Sequence, residues 1–451
     1  MRIVQTAYQL FTSRGIPKRC SEISSGVMES NRPFPHGKGE VTIYERKRGI
    51  SNMENARLTS LLTVVSSTIT LSVILFITIG SGIAIEYGLI SLLALIGWLK
   101  FSYKSTPSQT NTVPKYILGI VLIVALNTVR YTADFSQFIY LNYNQWFTES
   151  FTLNHTQWFV WMVCLPVSLL LFGGYYLSKR QTVGYFFAWW GFIYITIESL
   201  LQLQIELGNY SSYNHVYYLG LILAMLLFNI SVSGILKLIK PKGEEQKIED
   251  YQPLTKKQKN LWSLLLVTFV MVYAVTLYTQ AGPLPVGVIV GSMMGGMIGW
   301  RKTTSNIPAD PYKLVPLYLL LQALFYIHVG EEVLTHFNRG IASISGLPWS
   351  DVEFDYVITF LGPIFWVFGA YSLWKRQVFG NFILWFMIVG MILGEPTHLL
   401  VFPIVRMVKE GIGYEYFSGM YTALFPMIPA ILGLIIILKD HKKHKKAINN
   451  V

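Results

Sequence analysis

Twelve apolar runs fill most of this chain beyond residue 58. The first six lie near 58–80, 84–102, 115–135, 157–177, 183–205 and 215–237. The second six lie near 261–280, 285–301, 313–333, 356–374, 379–403 and 416–438. A helix needs about 20 apolar residues to cross the hydrocarbon of a bilayer. Lipid offers no partner to backbone N–H and C=O groups, and a helix pairs them within itself. The runs therefore predict an all-α, polytopic membrane protein of about 12 transmembrane helices. Composition agrees: only 13% of residues are charged and 52% are hydrophobic, against about 25% charged in soluble domains. This excludes a disordered chain, a coiled coil and a nucleic-acid-binding array. Pro166, Pro363 and Pro396 interrupt runs, which membrane helices tolerate when neighbours satisfy the freed backbone.

Net charge is nevertheless +12, from 36 Lys+Arg against 24 Asp+Glu, so the placement of the basic residues matters. Lys100, Lys104 and Lys115 flank the connection between the second and third runs, and Lys179 and Arg180 join the fourth and fifth. Lys237, Lys240, Lys242, Lys256, Lys257 and Lys259 fall between the sixth and seventh. Arg301, Lys302 and Lys313 follow the eighth, Lys375 and Arg376 the tenth, and a Lys/His tail the twelfth. All of these lie on one side if each half has six spans. By the positive-inside rule that side is the cytoplasm, which puts both termini inside a cell membrane. Arg406 and Lys409 are exceptions on the outer side. The basic stretches lack aromatic interleaving, so the expected partner is the lipid bilayer and no nucleic acid.

Residues 1–57 are different: polar, with ten Lys/Arg and five Asp/Glu and no apolar core. No cleavable signal peptide is evident there. Met53 directly precedes the first apolar run, and Lys47-Arg48-Gly49 upstream of it reads like a translated ribosome-binding site. Met53 is therefore expected as the true start, the alternative being a disordered basic tail. Cys20 and Cys164 form no metal or redox spacing, and Cys164 reads as a small packed residue.

The two halves resemble each other. Leu58-Thr-Ser-Leu-Leu matches Leu261-Trp-Ser-Leu-Leu, and Ile96-Gly97-Trp98 matches Ile298-Gly299-Trp300. Phe172-Gly-Gly-Tyr-Tyr-Leu-Ser-Lys179-Arg180-Gln181-Thr-Val-Gly184 matches Phe368-Gly-Ala-Tyr-Ser-Leu-Trp-Lys375-Arg376-Gln377-Val-Phe-Gly380. The anchors keep their order at an offset of roughly 196–203 residues. The expectation is a tandem duplication: a first six-helix repeat over 58–240, a cytoplasmic linker over 241–260, a second repeat over 261–438 and a basic tail over 439–451. Copies with an even number of spans are parallel, related by an axis along the membrane normal.

Polar residues gather in the second copy. The ninth run ends His328-Val-Gly-Glu331-Glu332-Val-Leu-Thr-His336, and the eleventh holds Glu395-Pro-Thr-His398. On a helix His328, Glu332 and His336 share a face with Glu331 at its flank, and Glu395 and His398 share another. His328 lies 15 residues beyond Lys313 and Glu395 lies 15 beyond Gly380, so both sit roughly 22 Å from the inner face. Glutamate and histidine inside a membrane are costly and point to function. His328, Glu332, Glu395 and His398 make an O/N set suited to a divalent metal such as zinc, iron or manganese. Glu331 or Glu332 is then the candidate general base. The plain structural alternative is a Glu–His network that only fixes packing.

The first copy lacks that set. Arg130 falls opposite His328, Asp134 opposite Glu332, Ser199 opposite Glu395 and Gln202 opposite His398, with Glu198 adjacent. Arg130, Asp134 and Glu198, with His336 from the second copy, form a secondary polar group. A degenerate structural copy is expected, because arginine cannot ligate a cation; anion binding is the alternative. Asp351, Glu353 and Asp355 read as a solvated outer loop, and Trp146, Trp158, Trp349 and Tyr416 as an interfacial belt.

His328-x-x-Glu331-Glu332 in a short polytopic unit resembles the HXXEE-motif family of bacterial membrane proteins, over roughly 313–438. That resemblance implies a multi-pass membrane protein and carries no established activity. Adjacent glutamates with a later histidine also weakly resemble the membrane-embedded CAAX-protease-like family, which expects arginine where His336 stands. Three functions follow. The first is metal-dependent, hydrolase-type chemistry on a lipid, isoprenoid or peptide substrate. The second is a proton-coupled transporter built from two six-helix repeats. The third is a non-catalytic membrane scaffold.

Overall fold

Nine helices among the described residues are long and apolar enough to cross a membrane. The computed structural model describes residues 59–66, 68–70, 81–103, 112–132, 160–208, 215–239, 253–281 and 283–449. These residues fall within one unit, Ala56–Val451. Met53 and the extension before it, Asp134, Trp146, Trp158 and most of the linker lie outside the described residues.

In the first half, α1 (Ser81–Gly97) runs on into a π-helical turn, Trp98–Ser102. Then come α2 (Thr112–Thr132), α3 (Leu165–Ser178) behind a π-turn at Val160–Cys164, α4 (Thr182–Gly208) and α5 (His215–Ile239). In the second half, α6 (Lys256–Ala281), α7 (Pro283–Lys302) and α8 (Pro311–Leu334) lead to a short outer helix, α9 (Phe337–Ser345). One turn, α10 (Asp351–Phe354), passes through π-helical Asp355–Leu361 into α11 (Gly362–Trp374). The chain ends with α12 (Val378–Leu393), α13 (Pro396–Leu399), α14 (Val401–Glu410) and α15 (Leu424–Asn449).

The expected segments appear as helices, except that the twelfth run is helical only from Leu424, and with three further qualifications. The first run is helical at 59–66 and 68–70, and residues 71–80 lie outside the described residues. Helix α3 has 14 residues, and α7 is rich in glycine, so neither matches a full apolar span. The eleventh run is not one helix: α12 stops at Leu393, and α13 and α14 follow after a break.

Helices α2 and α8 are central, with 78% and 72% of their apolar windows buried, whereas α6 and α15 have 28% each and face outward. Helix α8 packs on α3 and α15, and α2 packs on α5 and α11. The halves therefore meet reciprocally, through α3 against α8 and α2 against α11. Tyr131 of α2 donates to Asp355 (3.3 Å) and lies against Phe360 (4.5 Å between rings), which ties α2 to the π-turn of the second half. Helix α12 is buried almost continuously from Gly380 to Ile388 and forms the second half's axis with α7 and α11.

Basic groups collect at one end. Lys313 bonds Asp440 at 2.8 Å, joining the start of α8 to the end of α15. Arg301 donates to Ser263 and Asn260, Lys259 bonds Asn306, and Arg180 lies 5.9 Å over the Tyr312 ring. The two Lys-Arg-Gln turns are built alike. Arg180 and Arg376 are left-handed (φ 59° and 55°), and Gln181 and Gln377 donate back to the residues at Tyr176 and Ser372. At the opposite end the exceptions Arg406 and Lys409 are used locally. Arg406 pairs with Glu410 (3.0 Å), and Lys409 donates to the Ser343 carbonyl (2.7 Å), fastening α14 to α9.

Candidate metal centre

His328, Glu332, Glu395 and His398 come together, all buried. Two come from the last turns of α8. The other two come from the break after α12, where Pro396 lacks a backbone N–H and the ladder cannot simply continue. The Gly394 N–H closes onto Gly390 (2.6 Å), Thr397 bonds the Gly394 carbonyl, and the His398 N–H bonds Glu395 (3.1 Å). That tight turn aims Glu395 and His398 at α8.

Hydrogen bonds fix which imidazole nitrogen carries the proton. His398 Nδ1 lies 2.9 Å from the Ser418 carbonyl, which only accepts, so Nδ1 is the donor. Thr422 Oγ1 gives its one proton to Glu331 (2.5 Å) and therefore accepts from His328 Nδ1 at 3.0 Å. Both imidazoles thus turn Nε2 inward, toward the carboxylates. His328 Nε2 lies 2.9 Å from Glu395 Oε2 and 3.6 Å from Glu332 Oε1, and His398 Nε2 lies 3.4 Å from that same Glu332 oxygen. His328 Nε2 and Glu395 Oε2 satisfy no hydrogen-bond geometry despite their closeness. One ligand atom each from His328, Glu332 and His398 lies within 4.8 Å of the others, so this group can hold a metal ion. Fixing Nδ1 on a carbonyl or hydroxyl, with Nε2 free, is the outer-shell arrangement of metal-ligating histidines.

Aromatic rings wall the group. The His398 ring stacks on Phe337 (4.8 Å) and meets Phe402 edge-on (5.3 Å), and the two imidazoles are perpendicular at 4.8 Å. Gly419 (φ 85°) lies flat against both, and a Cβ there would come 2.5 Å from His398 Nδ1 and 2.9 Å from His328 Cε1. Only glycine combines that backbone with that approach.

Glu331 does not face this centre. Its carboxylate accepts from the Tyr416 hydroxyl (2.7 Å), the Tyr421 and Thr422 N–H groups (3.1 and 2.8 Å) and the Thr422 hydroxyl. It straps the 416–422 loop over the site. Burial, with the Glu331 carboxylate adding to it, pushes the Tyr416 phenol up to about 12. Thr335 and Ser418 hydroxyls bond each other beside the strap. Ser418, Gly419 and Thr422 were not foreseen: they are uncharged, distant in sequence and without a spacing signature.

The other sequence candidates lie apart. His336 is left-handed (φ 55°), half-exposed between α8 and α9, with Nδ1 3.7 Å from Asp351. Arg130 is buried and closed on Glu198 (2.6 Å) and Gln202 (2.8 Å); Asp134 is outside the described residues. Of the three outer acids, Asp351 pairs with Arg339 (2.6 Å) and Glu353 caps α10 through Ser350. Asp355 is buried, not solvated, because the π-turn rotates it toward Tyr131. Trp349 is no interfacial belt residue: it is buried edge-on against Phe354. Tyr416 serves the strap.

In comparisons with known proteins, no family model, no curated protein and no solved structure matches this chain.

Proposed function

We propose that this multi-pass membrane protein is a metal-dependent enzyme whose centre is His328, Glu332, His398 and Glu395. The observation that carries this reading is a buried meeting of metal-ligating side chains. Two imidazole Nε2 atoms and two carboxylates converge in a buried group, and one ligand atom each from His328, Glu332 and His398 lies within 4.8 Å of the others. Two carboxylates match one divalent cation in charge, and imidazole with carboxylate suits zinc, iron or manganese. Such an ion supplies a Lewis acid toward a carbonyl or phosphoryl oxygen and acidifies water, which is hydrolase-type chemistry.

The chain's residues divide the work. His328, His398 and Glu332 hold the ion. Glu395 stands against His328 Nε2 and is the carboxylate placed to take a proton. Glu331 is a positioning residue, because its carboxylate is spent on the strap. The HXXEE resemblance fits this division: its histidine and second glutamate face inward and its first glutamate faces the loop.

We further propose the tandem duplication and an inside location for both termini. Matched π-turns precede Leu165-Pro166 and Gly362-Pro363, and the two Lys-Arg-Gln turns share their backbone. Trp189 packs on Gly97 as Trp385 packs on Gly299. Val113-Pro114-Lys115-Tyr116 and Val315-Pro316-Leu317-Tyr318 put both tyrosines against glycine, Gly173 and Gly369. That register sets Arg130 opposite Glu332 rather than His328. The gathered basic end supports a cytoplasmic placement by the positive-inside rule. A transporter needs the first-half cluster to change partners, and Arg130 is closed in three hydrogen bonds.

The test is metal analysis of purified protein with Glu332→Gln and His398→Ala alongside. The expected result is bound divalent metal in the wild type and its loss in both variants. Wild-type protein without metal, or unchanged content in both variants, overturns the proposal.

A further inference from the structure

Beside the His/Glu group lies a cavity of about 130 Å³. Its polar lining is His328, Glu332, Glu395 and His398 with the Ser292 and Thr397 hydroxyls and the indole N–H groups of Trp349 and Trp366; the rest is apolar. Phe325, Phe354, Ile358, Trp366, Met387 and Met391 form much of the wall. Gly390 and Gly394 of the α12 end leave the space open toward α7. The cavity lies in the second half, between α7, α8, the π-turn before α11, and α12, and is open on one side.

Three properties restrict what it accepts. A cavity of about 150 Å³ lined by aliphatic and aromatic side chains holds a benzene-sized guest, so the space beside the His/Glu group accommodates about six carbons, with any longer chain leaving through its open side. An apolar wall gives a hydrated or charged moiety nothing to bond. Two methionines make the wall adaptable to an unbranched or lightly branched chain. The acceptor-rich polar residues ask for a ligand whose polar group can share a metal ion with them.

We propose that the substrate is a membrane-dissolved amphiphile. About six carbons of apolar chain occupy the cavity and place the adjoining carbonyl- or phosphoryl-type group at His328, Glu332 and His398. The position of the polar group rests on the metal-centre reading; the accommodation of the chain rests on the cavity alone. A peptide with polar side chains next to the reacting bond does not fit this wall.

Gly390 provides the test. A Cβ there would meet Ser292 at 3.7 Å, ordinary contact, so Gly390→Ala fits and Gly390→Leu grows into the cavity. The wild type and both variants are placed in lipid nanodiscs. They are photolabelled with an alkyl hydroxamate of about six carbons bearing a mid-chain diazirine, and labelled peptides and metal content are both read. The expected result is labelling at Phe325, Met387 and Met391, kept in Gly390→Ala and reduced roughly tenfold or more in Gly390→Leu by overfilling. Metal content is expected to be equal in all three. Labelling confined to lipid-facing side chains such as Ile298 and Leu393, or undiminished in Gly390→Leu, overturns the proposal. Cavity labelling in protein without metal overturns the metal-centre reading and leaves the chain-binding part standing. Bound metal without cavity labelling does the reverse.

Discussion

Each half of this protein buries a polar cluster, and the two clusters are satisfied in opposite ways. In the first half the chain supplies its own cation: the Arg130 guanidinium bonds the Glu198 carboxylate, the Glu198 carbonyl and the Gln202 side chain. In the second half His328 and His398 meet the carboxylates of Glu332 and Glu395 with no arginine or lysine in the group. A buried pair with its hydrogen bonds made is electrostatically complete. A buried set of two imidazoles and two carboxylates takes its positive charge from outside the chain, as a proton on imidazole or, in the proposed reading, as a metal ion. The difference explains how similar scaffolds yield one structural core and one candidate reactive centre.

The largest expected effect breaks the second cluster. Glu332 Oε1 stands between both imidazoles, so Glu332→Gln is expected to lower metal affinity by well over 100-fold. Removing a supporting residue alone costs about 10–100-fold, and a ligand should cost more. Isothermal titration of the apo-protein with zinc measures this; affinity within tenfold of wild type would contradict it.

Arg130→Ala tests the other side. It leaves Glu198 buried without its partner and is expected to destabilise the fold by about 3–5 kcal/mol, with metal stoichiometry unchanged in the folded fraction. Thermal unfolding in nanodiscs and metal analysis separate the two outcomes. Loss of metal without loss of stability would show that the first-half cluster belongs to the centre.

Thr422→Val sharpens the comparison by acting one shell out. The hydroxyl accepts from His328 Nδ1 and donates to Glu331. Its removal is expected to weaken metal binding roughly 10–100-fold, while Thr422→Ser should recover most of it. Equal binding in the valine and serine variants would deny the relay.

The smallest effect is expected at His336. It is half-exposed and only 3.7 Å from Asp351, which Arg339 already pairs. His336→Ala should change stability by less than about 0.5 kcal/mol and leave metal content alone. A marked loss of metal would place His336 in the centre.

Much of this was legible from residue types and spacing, because bilayer burial makes charge expensive. Intramembrane His328, Glu332, Glu395 and His398 stand out, and the structure gathers them. Glu331 and Glu332 look equivalent in sequence, yet about 100° of helix rotation separates them; one meets the loop and the other the imidazoles. The break at Gly394-Glu395 was hidden inside an apolar run that read as one span. Val-Pro-x-Tyr sets its tyrosine against a glycine in each half, and aligning the halves on it, as proposed above, moves Arg130 from His328 to Glu332. Ser418, Gly419 and Thr422 act through backbone and hydroxyl contacts that only the folded loop brings to the histidines. Asp355 looked solvated because acids cluster around it, and a π-turn, which leaves no composition signal, buries it.

X-ray absorption at the metal edge of zinc-loaded protein tests the central claim most directly. The account predicts two imidazole nitrogens and carboxylate oxygen at about 2.0–2.2 Å, with one imidazole lost in His398→Ala. A first shell of oxygen alone, or one unchanged by His398→Ala, would contradict it.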